Sequence, residues 1–127
     1  EMIGYFSPEK IQKFPIGFLK YIYPETGDFI ALVAKIEQRG VKQIKKSMRE
    51  YSLIDTWSLN APRFITQINL SDHKNYWDFG YTAYMVTDTS FLRNSNYHTP
   101  NDTIDTLDFE KMSEVVRGVY GAIINYK

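Results

Sequence analysis

The chain has 127 residues, with 15 Lys and Arg against 15 Asp and Glu, so its formal net charge is zero. That balance removes the electrostatic case for a nucleic-acid partner. The absence of cysteine removes disulfides, zinc–cysteine sites and cysteine nucleophiles together. No apolar run approaches the roughly 20 residues that cross a bilayer, which predicts a chain without a transmembrane segment.

Residues 2–6 read as a short strand or strand end. Residues 7–27 carry Pro8, Pro15, Gly17, Pro24 and Gly27. They predict an ordered loop with one helical turn, its aromatic residues packed inward. Residues 29–33 form a continuous apolar run of strand length. Such a run suits a strand covered on both faces. Val41, Ile44, Met48 and Tyr51 form a helical stripe. Lys42, Lys45, Lys46 and Arg49 alternate with it and read as the solvated face of that helix.

After the break at Asn60-Ala61-Pro62, residues 63–70 predict a second strand, with Ser71-Asp72-His73 at its C-terminal end. Residues 74–79 suit a short helix stopped at Gly80, and residues 82–87 a third strand. Residues 88–105 read as a long polar loop that holds His98. The last element is the clearest. Met112, Val115, Val116, Val119 and Ile123 predict one apolar face of a helix over 108–126, with Thr106 or Asp108 as N-cap. Alternating strands and helices indicate an α/β fold, in which function collects beyond the strand C-termini.

The chain holds only two histidines, His73 and His98. Each stands in a polar, turn-forming stretch beside a carboxylate, Asp72 or Asp102. An imidazole oriented by a nearby carboxylate is what a zinc site uses. The same pattern also suits a surface or capping residue. Asn101-Asp102-Thr103 has the form of a glycosylation acceptor, a pattern common by chance.

Five tracts taken in order carry a resemblance: Glu1-Met2-Ile3-Gly4-Tyr5, Gly27-Asp28-Phe29-Ile30-Ala31-Leu32-Val33, Ser71-Asp72-His73, residues 80–89, and Tyr97-His98-Thr99-Pro100-Asn101-Asp102-Thr103. Together they resemble the C-terminal half of metallopeptidase family 28, which holds co-catalytic zinc aminopeptidases and, more distantly, glutaminyl cyclases. The resemblance implies a three-layer α/β/α sandwich with a mostly parallel or mixed sheet. Residues 1–127 would then be the C-terminal portion of a single zinc-exopeptidase catalytic domain. It implies zinc as cofactor, a peptide as substrate, and a secreted or periplasmic location. His98 matches the family's terminal histidine ligand and Glu1 its acidic ligand. Tyr97 matches the phenol that points at the substrate carbonyl. Asp72 and His73 would form a wall beside the site, with Asp72 or Asp102 orienting a ligand.

The family's His-x-Asp and Glu-Glu motifs have no counterpart in residues 1–127. The expectation is therefore that the isolated chain is inactive and holds zinc weakly, with Glu1 mobile at the chain end. The N-terminal half of the domain becomes an expected partner. Self-association is a further expectation, with residues 29–33 as the strand that recruits a second chain. Two alternatives stay open: a glutaminyl-cyclase-like acyltransferase, and a non-catalytic binding module on the same fold.

Overall fold

The computed structural model describes residues 1–62 and 65–126. Three strands build its sheet: β1 (Phe29–Lys35), β2 (Asp55–Ala61) and β3 (Met85–Thr87). The spatial order is β2-β1-β3, with β1 and β2 parallel and β3 antiparallel to β1. Helix α1 (Val41–Tyr51) makes the crossover between the parallel pair. Helices α2 (His73–Asp78) and α3 (Phe109–Ile124) follow, and short 3-10 turns punctuate the loops. The protein is an α/β domain.

Strand β1 is central, and its first six residues are buried, as the apolar run predicts. Side chains alternate between the faces of a strand. Ile30, Leu32 and Ala34 pack against Val41, Ile44 and Met48 of α1 and Val115 of α3. Phe29, Ala31 and Val33 point to the opposite face. There Val33 joins a smaller cluster with Ala61, Ile68 and Trp77 of α2. One face thus carries two long helices, while the other is covered only in part by a short one.

Helix α3 begins at Asp108, whose side chain accepts from the Lys111 N–H at 2.9 Å. It crosses α1 through Gly118 and Gly121, which stand against Ser52, Met48 and Tyr51. Val116 and Ile123, predicted on the inner face with Val115, are exposed instead. The close crossing at the glycines fixes the rotation of α3 so that only one side of the stripe turns inward.

Three further expectations need correction. The strand predicted over 63–70 is replaced by β2 eight residues earlier, and Thr66–Asn69 is a 3-10 turn; Arg63 and Phe64 lie outside the described residues. Polar Thr56, Ser58 and Asn60 mask β2 in the sequence. Residues 2–6 are not a strand of the sheet, since Met2 turns left-handed at φ 46°. They still run beside β3, through Glu1 N–H to Val86 O at 2.9 Å and Asp88 N–H to Met2 O at 2.6 Å.

Within residues 29–33, Ala31, Leu32 and Val33 are no sheet edge, because they are paired on both sides; Phe29 and Ile30 pair with β2 alone, and the Phe29 carbonyl is taken by Arg93. The outer strand β2 has two carbonyls taken by side chains, Thr56 O by Arg49 at 3.0 Å and Ser58 O by Tyr23 at 2.8 Å. Occupied edge carbonyls disfavour recruitment of another strand. Among the described residues no helix is long and apolar enough to cross a membrane.

Candidate functional site

The thinly covered face of the sheet is the floor of a cavity of about 400 Å³. The strand register lays that floor in rows. Trp57, Ala31 and Thr87 form one row across the three strands, and Leu59, Val33 and Met85 the next. Leu19 and Tyr23 from the loop before β1 wall one side, and Ile68 and Leu70 wall another. The lining is overwhelmingly hydrocarbon, and the volume falls in the range of small-molecule sites.

Glu1, Tyr97 and His98 all line this cavity. The fold therefore gathers a carboxylate, a phenol and an imidazole from opposite ends of the chain. Tyr97 and His98 stack, with ring centroids 3.9 Å apart and planes 19° off parallel. Tyr97 also leans on Phe91 at 6.3 Å. Glu1 makes two hydrogen bonds. Its nitrogen is bound to β3, and its carboxylate accepts from the Ser71 hydroxyl. Within Ser71-Asp72-His73 it is thus Ser71 that reaches the cavity.

The remaining candidates do other work. His73 is buried, its Nε2–H donates to Ile68 O at 2.6 Å, and its ring meets Trp77 edge-on at 4.5 Å. It stiffens the turn behind the wall and is not part of the cavity lining. Asp72 is exposed beside α2, where its carbonyl accepts from the Asn75 N–H at 2.9 Å. Asp102 accepts from the Asn94 amide at 3.0 Å, and Asn94 in turn accepts from the Asn96 N–H at 2.9 Å. Asp102 thereby holds the loop that carries Tyr97 and His98, through its backbone and not through the imidazole.

Backbone strain is concentrated here. Among the described residues, four non-glycine positions have positive φ: Met2 at 46°, Thr89 at 76°, Ser90 at 42° and His98 at 60°. All four line the cavity. Such conformations cost of order 1 kcal/mol or more each, and cluster where a fold fixes functional groups. Their neighbours hold them in place. The Thr87 hydroxyl accepts from the Thr89 N–H at 3.1 Å, and the Asp88 carboxylate accepts from the Ser90 N–H at 3.0 Å. The other Asp88 oxygen accepts from Gly4 at 3.1 Å and Tyr5 at 2.9 Å, tying the N-terminal segment to the same turn.

Burial pushes the Asp88 carboxyl above its ordinary value, while these N–H groups and nearby Arg93 pull the other way. Arg93 itself is buried. Its Nε donates to Gln12 Oε1 at 3.0 Å, and its Nη1 to Phe29 O at 2.9 Å and Tyr5 O at 3.3 Å. The guanidinium lies over the Phe29 ring at 4.5 Å. Burial lowers its pKa to about 10, against the pull of Asp88, so it stays charged at neutral pH. Gln12 also accepts from the Thr89 hydroxyl at 3.0 Å. Sequence reading missed Arg93, because a lone Arg in a polar loop looks solvated; no local pattern announces a buried one.

The metal question turns on donor count. A catalytic zinc takes three protein ligands. Among the described residues there is no group of three His, Cys, Asp or Glu side chains placed to hold a metal ion. Glu1 and His98 are chemically suitable donors at one cavity, but two donors are one short of a site.

Along its whole length the chain is 43% identical, over 129 aligned residues, to a protein of Escherichia coli (strain K12) described as "Uncharacterized protein YfbL". It spans 40% of the length of that relative. No family model matches the chain, and no solved structure matches it.

Proposed function

We propose that the chain is the C-terminal portion of a zinc-dependent exopeptidase that removes N-terminal residues from peptides. The observation that carries this reading is the gathering of Glu1, Tyr97 and His98 on one apolar cavity whose lining holds every non-glycine residue of positive φ among those described. The resemblance over the five tracts assigns these same three residues to the site. The length of the relative, of which this chain spans 40%, leaves room for ligands outside residues 1–127.

Zinc, when bound, polarises a carbonyl and makes water a nucleophile at neutral pH. This chain's own residues do the rest. The His98 ring and the Glu1 carboxylate would supply two donors, with the remaining ligands coming from outside residues 1–127. Ser71 fixes the Glu1 carboxylate by a hydrogen bond. The Tyr97 phenol donates to the substrate carbonyl oxygen as negative charge grows on it. Stacking on His98 restricts the Tyr97 ring, so that little ordering is left for the transition state. The sheet face and its walls exclude water from the group seated next to the scissile bond.

The test is hydrolysis of aminoacyl-p-nitroanilides by the longer protein that carries this segment. Activity should vanish with a zinc chelator and return with added zinc. His98→Ala should abolish it. Tyr97→Phe should lower kcat by about 10²–10³ with little change in KM, as expected for one lost oxyanion donor. The 127-residue chain alone should be inactive. Chelator-insensitive hydrolysis, or full activity in His98→Ala, would overturn the reading.

A further inference from the structure

We propose that Ala31 sets the depth of the cavity and makes it a pocket for one bulky apolar side chain, aromatic or branched. Three observations lead there. Along β1 the residues on the cavity face are Phe29, Ala31 and Val33, so the smallest occupies the middle of the floor. The register sets Ala31 between Trp57, one of the largest side chains available, and Thr87. Same-face neighbours on adjacent strands stand about 5 Å apart. A methyl group between them therefore leaves a recess that a leucine or phenylalanine at this position would fill.

The polarity of the lining gives the ligand class. Its charged members are Glu1 and Lys13, which with the His98 imidazole are solvent-exposed and so at the mouth rather than the floor; of its two phenols, that of Tyr23 donates to Ser58 O at 2.8 Å and that of Tyr97 stacks on His98. Below them the recess offers Val33, Met85, Trp57 and Leu59, which bury hydrocarbon well and carry no charge; among these four the buried Trp57 Nε1–H alone is a donor. An ionised side chain seated there would lose its hydration without a countercharge. A side chain as small as that of alanine would leave most of the volume unfilled and forgo the dispersion contacts. The seated group is thus a phenylalanine-, leucine- or tryptophan-like side chain. Resting on the exopeptidase reading, it is the side chain of the peptide's first residue, and Ala31 is a specificity-determining position.

Binding can be tested apart from catalysis. The 127-residue chain is titrated with L-phenylalaninamide, L-alaninamide, L-glutamic acid α-amide and isobutylbenzene, and the methyl signals of Ala31, Val33 and Met85 are followed by NMR. L-Phenylalaninamide and isobutylbenzene should shift these signals, and the other two should not. Ala31→Leu should weaken both binders by about tenfold or more, with Ala31→Val between, as three and two added carbons in an apolar recess imply. Melting temperatures read alongside should stay near that of the parent, because the added carbons enter empty space. If Leu unfolds the chain, Val supplies the graded comparison. Unchanged affinity in both variants overturns the role of Ala31. Preference for the glutamic amide overturns the apolar class and points to Lys13. Isobutylbenzene and L-phenylalaninamide binding as described, with no peptidase activity in the longer protein, leaves the pocket standing and removes the exopeptidase reading.

Discussion

Arg93→Met is the sharpest probe of how the site is held. Met keeps the apolar stem and removes every donor of the guanidinium. Phe29 O and Tyr5 O then lose hydrogen bonds of 2.9 and 3.3 Å in a buried setting, and Asp88 loses a neighbouring positive charge. A hydrogen bond to a charged group contributes about 1.5–3 kcal/mol, and a buried acceptor left unpaired costs about 1–3. Two effects offset part of this. The guanidinium no longer has to be desolvated, which is what depresses its pKa to about 10. Gln12 also keeps its bond from the Thr89 hydroxyl. The net loss should therefore lie at the lower end, about 3 kcal/mol, against a total of about 5–15 for a domain. Urea denaturation should show it as a lower midpoint at constant slope. Thermal melting should fall by about 10 °C or more for a domain of this size. Arg93→Lys, which keeps the charge but not the fork, should fall between. A Met variant within about 0.5 kcal/mol of the parent would refute the idea that Arg93 is a strut. A Lys variant equal to the parent would refute the need for its geometry.

Two further outcomes follow from other contacts. Gly121→Ala adds a methyl that would stand 2.7 Å from Tyr51 Cβ and 2.6 Å from Cδ2. The helix gains about 1 kcal/mol of propensity and loses about 1–3 by overpacking, so the variant should be net destabilised by about 1 kcal/mol. Gly121→Ala more stable than the parent in chemical denaturation would show that α1 and α3 can part freely. The Leu53 N–H, at 2.8 Å, and then Arg117, at 2.7 Å, hold the Glu114 carboxyl below its ordinary value, with desolvation opposing. A depressed carboxylate stabilises the fold fully above its unfolded pKa and loses that contribution as pH falls through the folded one. The melting temperature of the parent should thus fall more steeply below about pH 4.5 than that of Glu114→Gln. Identical slopes would mean that Glu114 does not dock α3 onto the α1–β2 turn.

Local pattern alone determined much of this protein. The uncharged, continuous run 29–33 read as a buried strand, and it is the centre of the sheet. The stripe Val41, Ile44 and Met48 and the Asp108 cap fixed α1 and α3 because their signals repeat within one element. Tertiary contacts decided the rest. Strand β2 was hidden because Thr56, Ser58 and Asn60 carry no apolar signal; its stability comes from pairing with β1. Val116 and Ile123 were misplaced because only the glycine crossing onto α1 sets the rotation of α3. Glu1, Tyr97 and His98 could be named one at a time from sequence, but that they share a cavity depends on the N-terminal segment lying beside β3. The floor at Ala31 and the strut at Arg93 had no signature at all. A recess exists only where the register puts a small side chain between large ones. A buried charge is legible only once the chain has closed around it.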